Sequence, residues 1–292
     1  MTTTRKCQTL PAEALSTVDQ AARRALTRRD VLPARHHDAF WSLWDALHGE
    51  AASLGANTVS QLLKDQAKII QRAIARNGPT QGPSVDREAQ HLYRNTLLTV
   101  VLAAYLETPY KAATPTDLVP RVKDQRTSEM DRPAADDEIT LARTWALLRA
   151  RTVQGTVAAA TYSLCDAGLR LDETKRVQLD DFDGADNPGL VLASGRPRIE
   201  PRFIALDEVN VVALAARIAH VKHQGKTSLL HNARKAEPTP GAALVSAINT
   251  MNRIYGDLGI DHKTCPRRPS ATGASHTPGT PRARTRPRKC PA

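Results

Sequence analysis

Arg170 and Glu173 stand three residues apart in the run Gly168-Leu169-Arg170-Leu171-Asp172-Glu173. A guanidinium offers a planar fork that bonds two phosphate oxygens at once, and a neighbouring carboxylate can orient that fork. Three more arginines, Arg196, Arg198 and Arg202, follow within residues 194–206. These residue types suit the holding of a phosphate whose non-bridging oxygens gather negative charge. Taken alone, the Arg-x-x-Glu pair also suits a solvated salt bridge at a helix end, and the three arginines suit a solvated hairpin. Asp180, Asp181, Asp183 and Asp186 read as a loop rather than a metal site. His36-His37 and the pair His220 and His223 lack convergent carboxylates or cysteines and read as surface histidines.

The elements that must position these groups read as helices with one hairpin. Residues 156–169 form a small-residue, apolar helix that ends at or near Gly168, a residue suited to a helix terminus. Residues 190–193 and 202–206 are short β-type runs, joined through the turn Ser194-Gly195-Arg196-Pro197. Asp207 then caps a helix carrying Val209, Val212, Ala216 and Ala219, and residues 242–258 form another. Ahead of them, residues 132–139 read as a turn and a helix start, with Asp136, Asp137 and Glu138 in the first turn, where the helix dipole favours anions.

Helical periodicity also dominates the first third. Phe40, Leu43, Trp44 and Leu47 form one apolar stripe on a helix beginning after Pro33, and Leu62, Leu63, Ile69, Ile70 and Ile74 continue the pattern. Gly78-Pro79 and Gly82-Pro83 break it, and a buried helix follows from the cap candidate Ser84 through Leu97 to Tyr105. Trp41, Trp44 and Trp145 sit in apolar stripes and read as core. Pro109, Pro115 and Pro120 among polar residues give 108–132 linker chemistry. The expected organisation is a helical domain over 1–107, a linker over 108–132, a second domain over 133–265 and an Arg/Pro-rich tail over 266–292.

The net charge of +11 invites an acidic partner, but its placement weakens the argument. Residues 1–130 hold 17 basic and 13 acidic side chains, residues 131–265 hold 17 of each, and residues 266–292 hold 7 basic and none acidic. Most of the excess is therefore in the tail, and bulk charge alone makes a weak case for nucleic acid. Cys7, Cys165, Cys265 and Cys290 show no Cys-x-x-Cys spacing, so free thiols are expected, with neither a zinc site nor a disulfide framework. No apolar leader follows Met1, and the longest apolar run, 97–106, is half of the roughly 20 residues that a bilayer requires. A cytoplasmic protein with no cofactor, no metal and no membrane contact is expected.

The pattern Gly168-Leu169-Arg170-x-x-Glu173, then Leu179, the acidic pair Asp180-Asp181 and a hairpin ending in Arg202-x-Ile204-x-Leu206, resembles the first arginine box of the tyrosine recombinases, or phage-type integrases. The resemblance covers residues 132–206 well and fades through Asp261. It implies a mainly α fold with a small β-hairpin: a helical core-binding-like domain joined to an incomplete integrase-like catalytic domain. It also implies a function, site-specific recombination or integration of double-stranded DNA in a mobile element, by strand exchange through a 3′-phosphotyrosyl intermediate and with a homo-oligomer assembled on the DNA. Arg170 would then clamp the scissile phosphate, with Glu173 in the same active-site region. Arg196 would occupy the place of the family's catalytic lysine, with Arg198 the alternative register, and Arg198 and Arg202 would contact DNA. An arginine is a poor proton donor to a departing 5′ hydroxyl, because its pKa exceeds about 12.

The family's later motifs are not found. His262-Lys263-Thr264-Cys265 supplies the histidine of a His-x-x-Arg box without its arginine, and no tyrosine follows Tyr255. Residues 266–292 hold six prolines and six arginines and no Val, Ile, Leu, Met, Phe, Tyr or Trp, a composition that cannot bury a core and is expected to be disordered. The same composition arises when GC-rich coding DNA is read out of frame, so a frame change near Cys265 is one expectation. A basic arm contacting phosphates is the other. Either way the chain is expected not to cleave DNA, and the alternative function is a non-catalytic DNA-binding or regulatory protein.

Overall fold

A computed structural model describes residues 10–78, 83–123, 126, 133–183, 189–192, 201–230 and 240–260. The first helix, α1 (Leu15–Arg28), buries Val18, Ala21, Ala22, Ala25 and Leu26, positions at i, i+3, i+4, i+7 and i+8 that make one apolar face. Helix α2 (His37–Ser53) buries Phe40, Trp44, Leu47 and Ala51 along the stripe that the sequence predicts. The next apolar run divides at Asp65 into α3 (Val59–Lys64) and α4 (Gln66–Asn77). Thr58 starts α3 with a reciprocal cap, its hydroxyl accepting the Gln61 N–H at 3.3 Å while the Gln61 carboxamide oxygen accepts the Thr58 N–H at 3.1 Å.

These helices surround α5 (Pro83–Leu106), which packs against α1, α2, α4 and the later α7 (Asp136–Ala150). From Leu97 to Ala104 its hydrophobic side chains are all at 0 % exposure, so this helix is interior on every side. The single-turn α6 (Pro115–Leu118) follows. Beyond α7 come α8 (Thr156–Asp166) and the single turn α9 (Leu171–Thr174). Strands β1 (Phe182–Asp183), β2 (Gly189–Leu192) and β3 (Arg202–Ala205) form an antiparallel sheet in sequential order. Helices α10 (Glu208–His223) and α11 (Pro240–Leu258) complete the described chain. The architecture is mainly helical with one small antiparallel sheet. No helix among the described residues is long and apolar enough to cross a membrane.

In the sheet, Leu190, Leu192 and Ile204 point inward onto a small apolar cluster with Leu164, Leu169, Val177, Leu214 and Leu229. Val191 and Phe203 face each other across the strands on the outer side and are about half exposed. A Cβ at Gly189 would lie 2.3 Å from the Phe203 ring, so the ring rests where a side chain would otherwise stand.

The main apolar cluster runs from Leu10 through α5, α7 and α8 to Ile260, across the stretch that reads as a linker. That stretch is fastened from both sides. Arg94 of α5, 2 % exposed, donates to Val119 O at 3.0 Å and Pro120 O at 3.1 Å, and to Asn95 Oδ1 at 2.9 Å. Asn95 donates in turn to Asp137 Oδ2 at 2.8 Å, and Arg126 binds the same carboxylate at 2.8 Å as well as Glu88. Arg121 reaches Gly256 O at the end of α11, at 2.8 Å. The adjacent Gly259 adopts φ +71°, and a Cβ there would meet Arg121 Cγ at 2.7 Å and Arg94 Nη2 at 2.8 Å. Pro115 is buried at this crossing while Pro109 and Pro120 stay exposed, and buried polar groups hold the backbone beside them.

Asp137→Ala should leave the buried Asn95 amide without its acceptor and take from Arg126, whose side chain is 6 % exposed, one of its carboxylate partners, with Glu88 remaining, and cost about 2 kcal/mol in urea unfolding, because buried donors lose their acceptor. Asp136→Ala removes only the pair with Arg35, a side chain 58 % exposed, and should cost less than about 1 kcal/mol. Equal losses in the two variants would contradict the role given to the buried network.

Candidate nucleic-acid interface

The chain leaves α8 through Gly168, whose φ of +101° lies in the region that favours glycine. Leu169 then buries its side chain and returns its N–H to Leu164 O at 3.0 Å. Arg170 takes an extended backbone, φ −70° and ψ 151°, at the head of α9. That turn sends the Arg170 side chain outward, 52 % exposed, and the Glu173 side chain inward, 1 % exposed.

Glu173 is the fixed point of the site. Its Oε2 accepts the Arg170 backbone N–H at 2.9 Å, and the Arg202 guanidinium grips both carboxylate oxygens, at 2.9 and 2.7 Å. Burial alone would raise the Glu173 carboxyl. The Arg202 hydrogen bonds, the Arg170 N–H and the charges of both guanidinium groups outweigh that effect and hold it below the ordinary glutamate value. The Arg170 guanidinium stands farther off, 3.6 Å from Glu173 Oε1 and 3.5 Å from Asp172 Oδ1.

Arg202, which the sequence predicts as a DNA contact, directs its fork at Glu173. The physical reason is register: Arg202 lies opposite Leu192 and shares with Ile204 the inward side of the sheet, toward Glu173. Of the predicted group, Arg170, Glu173 and Arg202 come together, while Arg196 and Arg198 lie outside the described residues. Asp181 is buried and accepts the Gln178 N–H at 2.7 Å, closing a short turn over Leu179–Asp181 ahead of β1. Asp186 and the Asp183 side chain lie outside the described residues. Among the described residues no cluster of His, Cys, Asp and Glu is placed to hold a metal.

Two expectations are corrected. His36 is 6 % exposed rather than on the surface, packed edge-on to Phe40 at 5.8 Å, and burial pushes its pKa down. Asp207 precedes α10 as predicted, but its side chain makes no cap hydrogen bond. Its carboxylate accepts from Arg143 Nη2 at 3.0 Å, because Arg143 is 5 % exposed and is also bound to the buried Asp166. Asn210 joins the same Asp166 oxygen at 2.9 Å.

Sequence reading missed Lys175. It closes α9 at 7 % exposure, and burial, with the Arg217 charge beside it, pushes its ammonium down to about 8. The available signal was a basic residue between Thr174 and Val177 in a stretch that must cover the small apolar cluster. Tyr93, Tyr105, Tyr162 and Tyr255 are each 2 % exposed or less, which places them in the core.

Because folding depresses the Glu173 pKa, its contribution is present above the unfolded value of about 4.3 and is lost as pH falls through the folded value. Glu173→Gln should therefore lower stability by about 2 kcal/mol near neutral pH, and the gap to the parent should close below about pH 4. Denaturant unfolding across this range measures it, and a gap independent of pH would contradict the charged pair.

Comparison with known proteins adds no constraint to this geometry: no family model, curated protein or solved structure matches the chain.

Proposed function

We propose that this chain binds double-stranded DNA as a protein of tyrosine-recombinase descent, with Arg170 receiving a backbone phosphate, and that it holds the duplex without cutting it. The observation that carries the reading is the Glu173 anchor. A carboxylate 1 % exposed and gripped by Arg202 fixes the turn from which a half-exposed guanidinium projects, so the Arg170 fork meets a phosphate from a backbone already ordered. Preorganisation of this kind makes a charge-assisted contact effective, since little freedom is lost on binding.

By resemblance, the ancestral reaction is strand exchange through a phosphotyrosine, on a homo-oligomer assembled at the DNA site. In that reaction Arg170 would neutralise the non-bridging oxygens, while Arg196 or Arg198 would stand in the proton donor's place. The step needs a tyrosine hydroxyl at the phosphate. Four of the five tyrosines are buried, which supports DNA holding over cleavage.

In fluorescence anisotropy with a duplex, Arg170→Ala should bind about tenfold more weakly and reduce the slope of log affinity against log salt by about 1. Unchanged affinity and slope would remove Arg170 from the interface. Incubation of the parent with a nicked suicide duplex should trap no covalent protein–DNA adduct, and a trapped adduct would overturn the non-cleaving half of the proposal.

A further inference from the structure

His36 sits where the N-terminal helices meet the body that follows them. The turn Ala34–His36 leads directly into α2, and the His36 N–H closes it on Pro33 O at 2.8 Å. Beside it, the Arg35 guanidinium binds both oxygens of Asp136 at 2.5 to 3.0 Å, which ties this turn to the first turn of α7. Arg35, His37 and Asp38 face solvent, whereas the His36 ring turns inward, 6 % exposed and edge-on to Phe40. Its Nε2 is buried and meets no hydrogen-bond partner.

That seat suits a neutral imidazole and disfavours a charged one. Protonation makes both ring nitrogens donors, and a buried N–H without an acceptor is costly. His36 is also the N-cap of α2, a helix of 17 residues, where the positive end of the helix dipole opposes a cation. The charged groups that act on the ring from neighbouring elements are Asp136 and Asp137 of α7 and Arg126, with Arg35 acting from its own. Both carboxylates attract an imidazolium, but both already hold other donors. Asp136 is bound by Arg35, and Asp137 accepts from Asn95 and Arg126 at 2.8 Å. Burial, the largest effect, joins the two guanidinium charges in outweighing the carboxylates and holds the imidazole below its ordinary pKa.

We propose that His36 is a proton-operated latch between the N-terminus of α2 and the first turn of α7, closed while the imidazole is neutral and released when mild acid protonates it. Because the folded state disfavours the proton, the contribution of His36 is fully present above the unfolded value of about 6.5 and declines as pH falls below it. The opening is local. It parts the start of α2 from the start of α7 and leaves the apolar cluster beneath them packed.

Histidine NMR titration of the full chain reads the latch directly, with the His36 ring assigned through its contact with Phe40. It should titrate below about 6.5. Hydrogen exchange, corrected for the intrinsic pH dependence of amide exchange, gives the second readout. Protection of the Trp41 amide in α2 and the Ile139 amide in α7 should fall about tenfold between about pH 7.5 and 5. His36→Phe keeps a ring against Phe40 and removes the titration, so its protection at both amides should change less than about twofold over the same range. A His36 titration at or above the ordinary value, unchanged protection in the parent, or an equal loss in His36→Phe would overturn the latch. Should His36→Phe not fold, the two measurements on the parent still decide the matter. Neither readout involves DNA, so the result stands apart from the Arg170 reading.

Discussion

A charge removed from water must meet a counter-charge or a set of hydrogen-bond acceptors, and that requirement decides how the helices of this protein are arranged. Asp137 serves Arg126 and Asn95 together, and Asn95 passes the connection to Arg94, which grips the backbone at Val119 and Pro120. α5, the segment at Val119, Pro120 and Arg126, and α7 therefore meet at one polar knot inside a large apolar cluster. Hydrophobic burial supplies most of the driving force but does not fix one register, since apolar surfaces slide over one another with little penalty. The network sets the register, because a shift of one residue would leave several buried groups unpaired.

The same logic at smaller scale orders the candidate interface. Glu173 is too deeply buried to remain charged unaided, and Arg202 comes from the sheet to compensate it. This couples a turn after α8 to the strand β3, elements far apart in sequence. The exposed Arg170 inherits its orientation from a pair that never meets solvent fully. Arg143 plays the equivalent part between α7, α8 and α10, through Asp166 and Asp207.

How much of this the amino-acid order reveals depends on whether a feature is local. The α2 stripe, the buried run ending at Tyr105, the start of α7, the Gly168 terminus and both main hairpin strands are readable, because periodicity and punctuation act within a few residues. Helix α1 is harder to see, since three of its six buried positions are alanines that carry weak contrast. The acidic turn at Asp136, Asp137 and Glu138 reads correctly as a helix start, yet nothing local announces that Asp137 and Glu138 are interior. Arg202 and Lys175 show the limit. Which way a basic side chain points depends on the pairing of strands and on a neighbouring helix, and neither is encoded within its own segment.

Gly259 carries this interdependence into evolution. A glycine there leaves room for Arg94 and Arg121, and no other side chain could enter without displacing a cation that other groups already hold. Replacement at 259 would survive only with compensating change at 94 or 121, and loss of either arginine would relax the constraint on 259. Three positions on three separate segments are thus expected to drift as one, so that in any lineage carrying this fold a change at one of them dates a change at the others.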